Sequence, residues 1–66
     1  MFNVIGCLGV SVGHADSIDM ATLLVLRQIA IGAKKVRTMR NALSRLTTGQ
    51  EYHVEYGGSG CTIRRL

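Results

Sequence analysis

The fold is decided by residues 17–47, which read SIDMATLLVLRQIAIGAKKVRTMRNALSRLT. Apolar or small residues recur in this stretch at alternating spacings of four and three, which is the pattern of a helix that packs lengthwise on another helix. The members of this apolar stripe are Ile18, Thr22, Val25, Ile29, Gly32, Val36, Met39, Leu43 and Leu46. The spacing therefore predicts one long helix through Leu46.

The predicted helix is long for a chain of 66 residues. At about 1.5 Å per residue it would span roughly 46 Å. A compact domain of this size has a diameter of roughly 28 Å. We therefore expect the helix either to break near Gly32 or to extend and contact another molecule. Glycine costs about 1 kcal/mol in a helix interior relative to alanine, so Gly32 marks a kink or a close approach of a neighbouring backbone.

The residues before the helix favour β-structure. Alternation over residues 2–12, rich in β-branched side chains, predicts a strand or a bent strand pair kinked at Gly6 or Gly9. Asp16 or Ser17 is expected to supply the side-chain oxygen that caps the helix N-terminus.

The residues after the helix favour a β-hairpin. Gly49 is expected to end the helix in a left-handed conformation. Residues 52–56 then alternate with tyrosine and valine on one face, residues 57–60 form a glycine-rich loop, and residues 61–66 return. The predicted fold class is α+β in a single domain, with an N-terminal strand, one long helix, kinked at Gly32 as an alternative, and a C-terminal β-hairpin.

The apolar content is high for so small a domain. Hydrophobic residues make up 47% of the chain, whereas a domain of about 60 residues buries only about 60% of its unfolded surface. Small chains in this position are commonly completed by oligomerisation, metal ions or disulfides. We therefore expect apolar residues to remain outside the core and to be covered by other protein subunits.

The charges are segregated along the chain. The net charge is +4, all eight basic residues lie at or after Arg27, and residues 1–26 carry only Asp16 and Asp19. The basic face of the predicted helix consists of Lys34, Lys35, Arg37, Arg40 and Arg45. This face could neutralise the phosphates of a nucleic acid or pair with an acidic protein surface, and the sign of the charge alone does not decide between them.

No arrangement of reactive side chains points to a cofactor, a metal ion or catalysis. The soft metal ligands are Cys7, His14, His53 and Cys61, and none has a second ligand two to four residues away. No serine or cysteine is spaced with a histidine and a carboxylate in a known motif. The apolar stretch 20–33 is too short for a transmembrane helix. The apolar and charged halves of the whole predicted helix lie end to end, which disfavours an amphipathic membrane-surface helix. The sequence therefore predicts a protein that is not an enzyme and has no cofactor.

The C-terminal part resembles a phage protein family. Residues 42–49 read ALSRLTTG and lead directly into the predicted hairpin. Residues 42–66 resemble the head–tail joining protein W family of lambda-type phages, in which a helix ends in an A-L-x-x-L-x-T-G stretch before a short hairpin. The resemblance implies a virion component located between the capsid portal and the tail.

These observations favour a structural subunit of a larger protein assembly, most simply a phage head–tail connector or capsid-associated component, located in the virion or the host cytoplasm. The residues expected at its principal interface or core are Val25, Ile29, Val36, Met39, Leu43 and Leu46. The alternative is a small nucleic-acid-binding protein that uses the basic face between Lys34 and Arg45.

Overall fold

The computed structural model describes residues 1–6 and 8–66, and of Tyr56 it describes the main chain only. The chain forms six elements in the order β-β-α-α-β-β, so the fold is α+β. Cys7, one of the four soft metal ligands considered above, and the side chain of Tyr56, which was expected on a face of the hairpin, lie outside the described residues.

The N-terminal run forms two strands, not the single strand that was predicted. Strand β1 spans Phe2–Ile5 and strand β2 spans Ser11–Ala15. They pair antiparallel, with Val4 opposite Gly13 and a shift of register between Val4 and Ile5. The bent strand pair was therefore the correct alternative.

The prediction of one long helix is wrong. Helix α1 spans Ile18–Gln28 and helix α2 spans Ala33–Arg45. The chain leaves α1 at Ile29, which is extended and places its side chain in the core. The longest dimension of the molecule is 28 Å, so a straight 46 Å helix would carry half of its apolar stripe away from the sheet.

The C-terminal hairpin is longer and its turn is tighter than predicted. Strand β3 spans Glu51–Tyr56 and strand β4 spans Ser59–Arg65. Two residues, Gly57 and Gly58, make the turn instead of a four-residue loop, and both have the positive φ that a type I′ turn requires. Gly49 also has a positive φ, but α2 ends earlier, at Arg45, with Leu46 as its C-cap.

The four strands form one antiparallel sheet in the order β2-β1-β4-β3. Strand β1 is central because it also pairs with β4, with Val4 opposite Ile63. Strands β2 and β3 are therefore the two edges of the sheet.

Both helices cover the same face of the sheet, and the hydrophobic core lies between the two layers. Helix α1 packs on β1, β2 and β4, and α2 packs on β3. The buried hydrophobic residues are Phe2, Val4, Ala15, Ala21, Val25, Ile29, Met39, Leu43, Val54, Cys61 and Ile63. The opposite face of the sheet has no covering element among the described residues. Within the same residues, no helix is long and apolar enough to cross a bilayer.

Candidate interaction surfaces

Helix α1 exposes apolar side chains on the side that faces away from the sheet. Met20, Leu23 and Leu26 are 41–55% exposed. The helix itself forms from strong local signals. The Ser17 hydroxyl accepts a hydrogen bond from the Met20 amide at 3.2 Å, and Asp19 lies at the positive end of the helix dipole. The exposed leucines therefore lie on a well-formed helix.

A second group of exposed apolar side chains borders strand β2. Leu8 is 88% exposed, and Val10 and Val12 are also exposed. Strand β2 is held against α1 by close packing, because a Cβ atom on Gly13 would lie 3.3 Å from Cδ1 of Leu24. The first group thus lies on α1 and the second on β2 and the residues before it, and α1 and β2 pack against each other. We call them together the β2–α1 surface, which consists of Leu8, Val10, Val12, Met20, Leu23 and Leu26.

The sequence indicated that apolar residues would remain exposed, but it pointed to other positions. Of the six residues expected at the interface or core, four are buried: Val25, Ile29, Met39 and Leu43. The other two, Val36 and Leu46, are partly buried. The stripe therefore serves mainly to join the two helices and the sheet of one chain. The β2–α1 surface was missed because Leu23 and Leu26 lie outside the apolar stripe on which the sequence prediction was based.

The predicted basic face divides into three parts. Arg40 pairs with Asp19 of α1, with 2.6 Å between Nη2 and Oδ1. Lys35 donates a hydrogen bond from Nζ to the main-chain carbonyl of Glu55 on β3, at 2.8 Å. The remaining three residues, Lys34, Arg37 and Arg45, are exposed and form no ion pair with any described residue.

These three residues lie on the solvent side of α2. Met39 and Leu43 define its buried side, and at 3.6 residues per turn Lys34, Arg37 and Arg45 lie across the helix from them. Helix α2 contains no aspartate or glutamate. We call Lys34, Arg37 and Arg45 the cationic ridge.

The N-terminus of α2 lacks the stabilising features that α1 has. Its N-cap is Gly32, which provides no side-chain hydrogen bond, and its first turn contains no acidic residue. Lys34 and Lys35 instead bring positive charge to the positive end of the helix dipole, which is unfavourable. The two lysines in the first turn of α2 are therefore not explained by the stability of the helix.

The open face of the sheet carries a shallow concavity of about 410 Å³. Here His53 Nδ1 lies 3.0 Å from the Thr62 hydroxyl, and His53 Nε2 lies 3.3 Å from a carboxylate oxygen of Glu55. The ring lies over Gly60, where any Cβ atom would approach it to 3.1 Å. Hydroxyl, imidazole and carboxylate occur in this order in nucleophilic catalysis. However, the side chains of His53 and Glu55 are 54% and 77% exposed, so water solvates and screens the pair.

The soft metal ligands named from the sequence do not come together in the described part of the chain. His14 is exposed on β2, His53 lies on β3, and Cys61 is buried. Among residues 1–6 and 8–66, no group of three or more potential ligands could hold a metal ion.

Comparisons of this chain with protein-family models, with curated proteins and with solved structures gave no match.

Proposed function

We propose that this chain is a non-enzymatic structural subunit of a larger protein assembly. The observation that carries the proposal is the β2–α1 surface. It consists of six exposed large apolar side chains on two neighbouring parts of a chain whose own core is already filled by both helices and the sheet. Apolar patches of this kind on soluble proteins mark sites of contact with other macromolecules.

The burial of this surface would release enough free energy to drive association. Complete burial of one leucine or valine side chain contributes about 1.5–3 kcal/mol. Six side chains that are about half exposed would therefore contribute on the order of 5 kcal/mol or more, before the entropic cost of association. In addition, apolar side chains of the partner surface would be removed from water, which adds to the favourable free energy.

The setting that we propose is a phage virion, as a head–tail connector or capsid-associated component. Its support is the resemblance of residues 42–66, together with the order of elements there. Helix α2 ends at Arg45 and is followed directly by the β3–β4 hairpin. This setting is a narrower proposal than the assembly role, and it can fail separately.

The assembly role is tested by copurification from cells that produce the protein naturally. A tagged wild-type chain should be recovered with other polypeptides in a complex larger than a dimer, and mass spectrometry would show whether they are virion proteins. The double variant Leu23→Lys/Leu26→Lys should be recovered alone, because two charges on the contact surface oppose burial.

The matched control is Thr38→Lys/Ser44→Lys, which adds the same two charges at exposed positions on α2. This control should be recovered in the same complex as the wild type. Recovery of the wild type without any other chain would refute the assembly role.

The second candidate function is nucleic-acid binding through the cationic ridge. The specific observation is that α1 and α2 are joined by only four residues, 29–32, which include Gly32. Short connections of this kind join the helices of helix-turn-helix proteins, whose second helix enters the major groove of DNA. The exposed side of α2 also presents Asn41, and asparagine can bind adenine edges through two hydrogen bonds.

A salt titration tests the nucleic-acid candidate. If the three residues of the ridge each contact a phosphate of duplex DNA, log K should fall with log[salt] with a slope of about −2.7. The double variant Arg37→Glu/Arg45→Glu should abolish binding in fluorescence anisotropy. Arg27→Glu, an exposed charge reversal on α1, is the control and should change the affinity less. Affinity that does not depend on salt would exclude this candidate.

A further inference from the structure

The two edges of the sheet differ in how well they are protected against pairing with another strand. Edge strands expose unpaired N–H and C=O groups, and proteins usually block them with charged side chains, with lysine in particular, or with a covering element. Edge strand β3 has such protection. Glu51, His53 and Glu55 alternate along it, and Lys35 of α2 already donates a hydrogen bond to the Glu55 carbonyl.

Edge strand β2 lacks these charges. Its five residues, SVGHA, contain no lysine, arginine, aspartate or glutamate. It is bordered instead by the exposed side chains of Leu8, Val10 and Met20. Its one irregularity is the shift of register opposite Val4 and Ile5, which leaves the stretch from Gly13 to Ala15 regular. A strand edge and an apolar surface are therefore available on the same side of the molecule.

From this contrast we infer that β2 pairs antiparallel with β2 of a second copy of the chain, so that the exposed apolar side chains beside β2, those of Leu8, Val10 and Met20, meet their counterparts in the other copy. The inference rests on the assembly role proposed above, and it identifies a second copy of the chain as the first partner in that assembly. An antiparallel pair of identical strands has a twofold axis, so each copy contributes the same contacts and the association closes as a dimer.

The distribution of charge favours a second copy as the occupant. Two chains that each carry +4 repel, and all eight basic residues lie at or after Arg27. Contact through the β2 edge keeps α2 and β4, which carry seven of the eight basic residues, away from the contact, and only Arg27 lies on α1. A partner selected by charge would be acidic and would dock on the cationic ridge of α2 instead. A surface with little net charge is best matched by another of the same kind.

The size of the surface is also suited to a dimer. A stable interface buries about 800 Å² on each partner, and the whole chain exposes 4235 Å². A dimer would therefore cover about a fifth of each chain, which is more than a strand edge of three regular residues can provide. The exposed side chains of Leu8, Val10 and Val12 and of Met20 on α1 must supply most of the contact. Met1 and Leu66 are also exposed, but they lie outside this surface.

The purified wild-type chain tests the inference in sedimentation equilibrium from micromolar to millimolar concentration. We expect a reversible monomer–dimer equilibrium. Val12→Lys, which places a lysine on the β2 edge, should raise the dissociation constant by at least about tenfold. Thr48→Lys adds the same charge in an exposed turn and should leave the constant within about twofold.

Hydrogen exchange locates the contact even if Val12→Lys also weakens the fold. Main-chain amides within residues 11–15 that face away from β1 should become protected as the wild-type concentration rises, whereas those on the outer side of β3 should not. Protection that does not change at β2 would overturn the inference.

The result also separates this inference from the proposed function. A wild-type chain that stays monomeric at millimolar concentration, yet copurifies with other polypeptides, refutes the second copy and leaves the assembly role standing. A chain that dimerises when pure but is recovered from cells only as that dimer supports the strand pairing and refutes the larger assembly.

Discussion

The two helices lie side by side on one sheet, but their sequences stabilise them in different ways. Helix α1 has a side-chain cap at Ser17, an acidic residue in its first turn and Arg27 in its last. Helix α2 has no side-chain cap, two lysines in its first turn and Arg45 in its last. Local electrostatics therefore favour α1, whereas α2 depends more on the packing of Met39 and Leu43 against the sheet.

The outer sides of the helices differ as well. The outer side of α1 exposes Met20, Leu23 and Leu26 beside Arg27, whereas that of α2 is cationic. Neither pattern improves the stability of an isolated chain, since exposed leucines gain nothing in water and lysines at a helix N-terminus are unfavourable. Sequence features that break local rules without a structural benefit are expected at functional surfaces. The comparison thus assigns packing to the inner sides of both helices and interaction to the outer sides.

The largest expected effect is a difference in stability between two single variants, in which a leucine on the inner side or on the outer side of a helix is replaced by aspartate. Leu43→Asp places a carboxylate in the core and should cost more than about 4 kcal/mol. A domain of this size has roughly 3–5 kcal/mol of stability, so the variant should be unfolded in circular dichroism at 25 °C.

Leu23→Asp makes the same chemical change on the outer side of α1, where the side chain is 55% exposed. Its free energy of unfolding should change by less than about 1 kcal/mol in urea titrations under monomeric conditions. If the two variants lose similar stability, the division into inner packing and outer interaction sides is wrong.

Smaller changes in stability are expected from substitutions at the two N-caps, and the two changes should have opposite signs. Ser17→Ala removes the cap of α1 and should destabilise the protein by about 1 kcal/mol, which lowers Tm by about 4–8 °C. Gly32→Asp supplies a cap and a negative charge to α2 and should stabilise it by about 0.5 kcal/mol. The position tolerates a side chain, because a Cβ atom there would meet nothing within 4 Å and φ is −75°.

Gly32→Ala is the control for the second substitution, because it adds a Cβ atom without a hydrogen-bond acceptor. Thermal unfolding followed by circular dichroism should rank the aspartate variant above the alanine variant. The reverse order would mean that the N-terminus of α2 is already satisfied and that its lysines carry no cost.

Parts of the fold were predictable because local signals carry them. The helical spacing located the helical region, although as one helix instead of two. Asp16 or Ser17 was expected to cap its start, and the alternation of Tyr52 and Val54 located the hairpin. A break near Gly32 was one of two outcomes expected from the length of the helix, but its start at Ile29 was not predictable, because Ile29 continues the helical spacing and leaves it only to enter the core. The pairing of β1 with β4 joins the two ends of the chain, and no local pattern contains it.

The candidate surfaces were predictable only in part, for a similar reason. The basic character of α2 can be read directly from the sequence. The separation of Lys34, Arg37 and Arg45 from Arg40 depends on Asp19, which lies 21 residues away and meets Arg40 only after the chain turns back at residues 29–32. The exposure of Leu23 likewise depends on which side of α1 meets the sheet.

The smallest expected effect concerns the ion pair that joins the two helices. Its geometry is close, but the side chains of Arg40 and Asp19 are 43% and 77% exposed. Pairs of this kind contribute about 0.2–1 kcal/mol, and salt weakens them. A double-mutant cycle with Arg40→Met and Asp19→Asn, measured by urea unfolding, should give a coupling energy in this range at low salt and close to zero in 1 M salt.

The cycle sharpens the comparison because the two partners belong to different helices. A coupling energy near zero at low salt would show that α1 and α2 are joined by the core alone, and Arg40 would then be available to extend the cationic ridge beyond Lys34, Arg37 and Arg45. A coupling energy within the expected range keeps Arg40 in a structural role. In that case the ligand-binding charge of α2 is limited to the three residues of the ridge, and the salt slope for DNA should not become steeper than about −2.7.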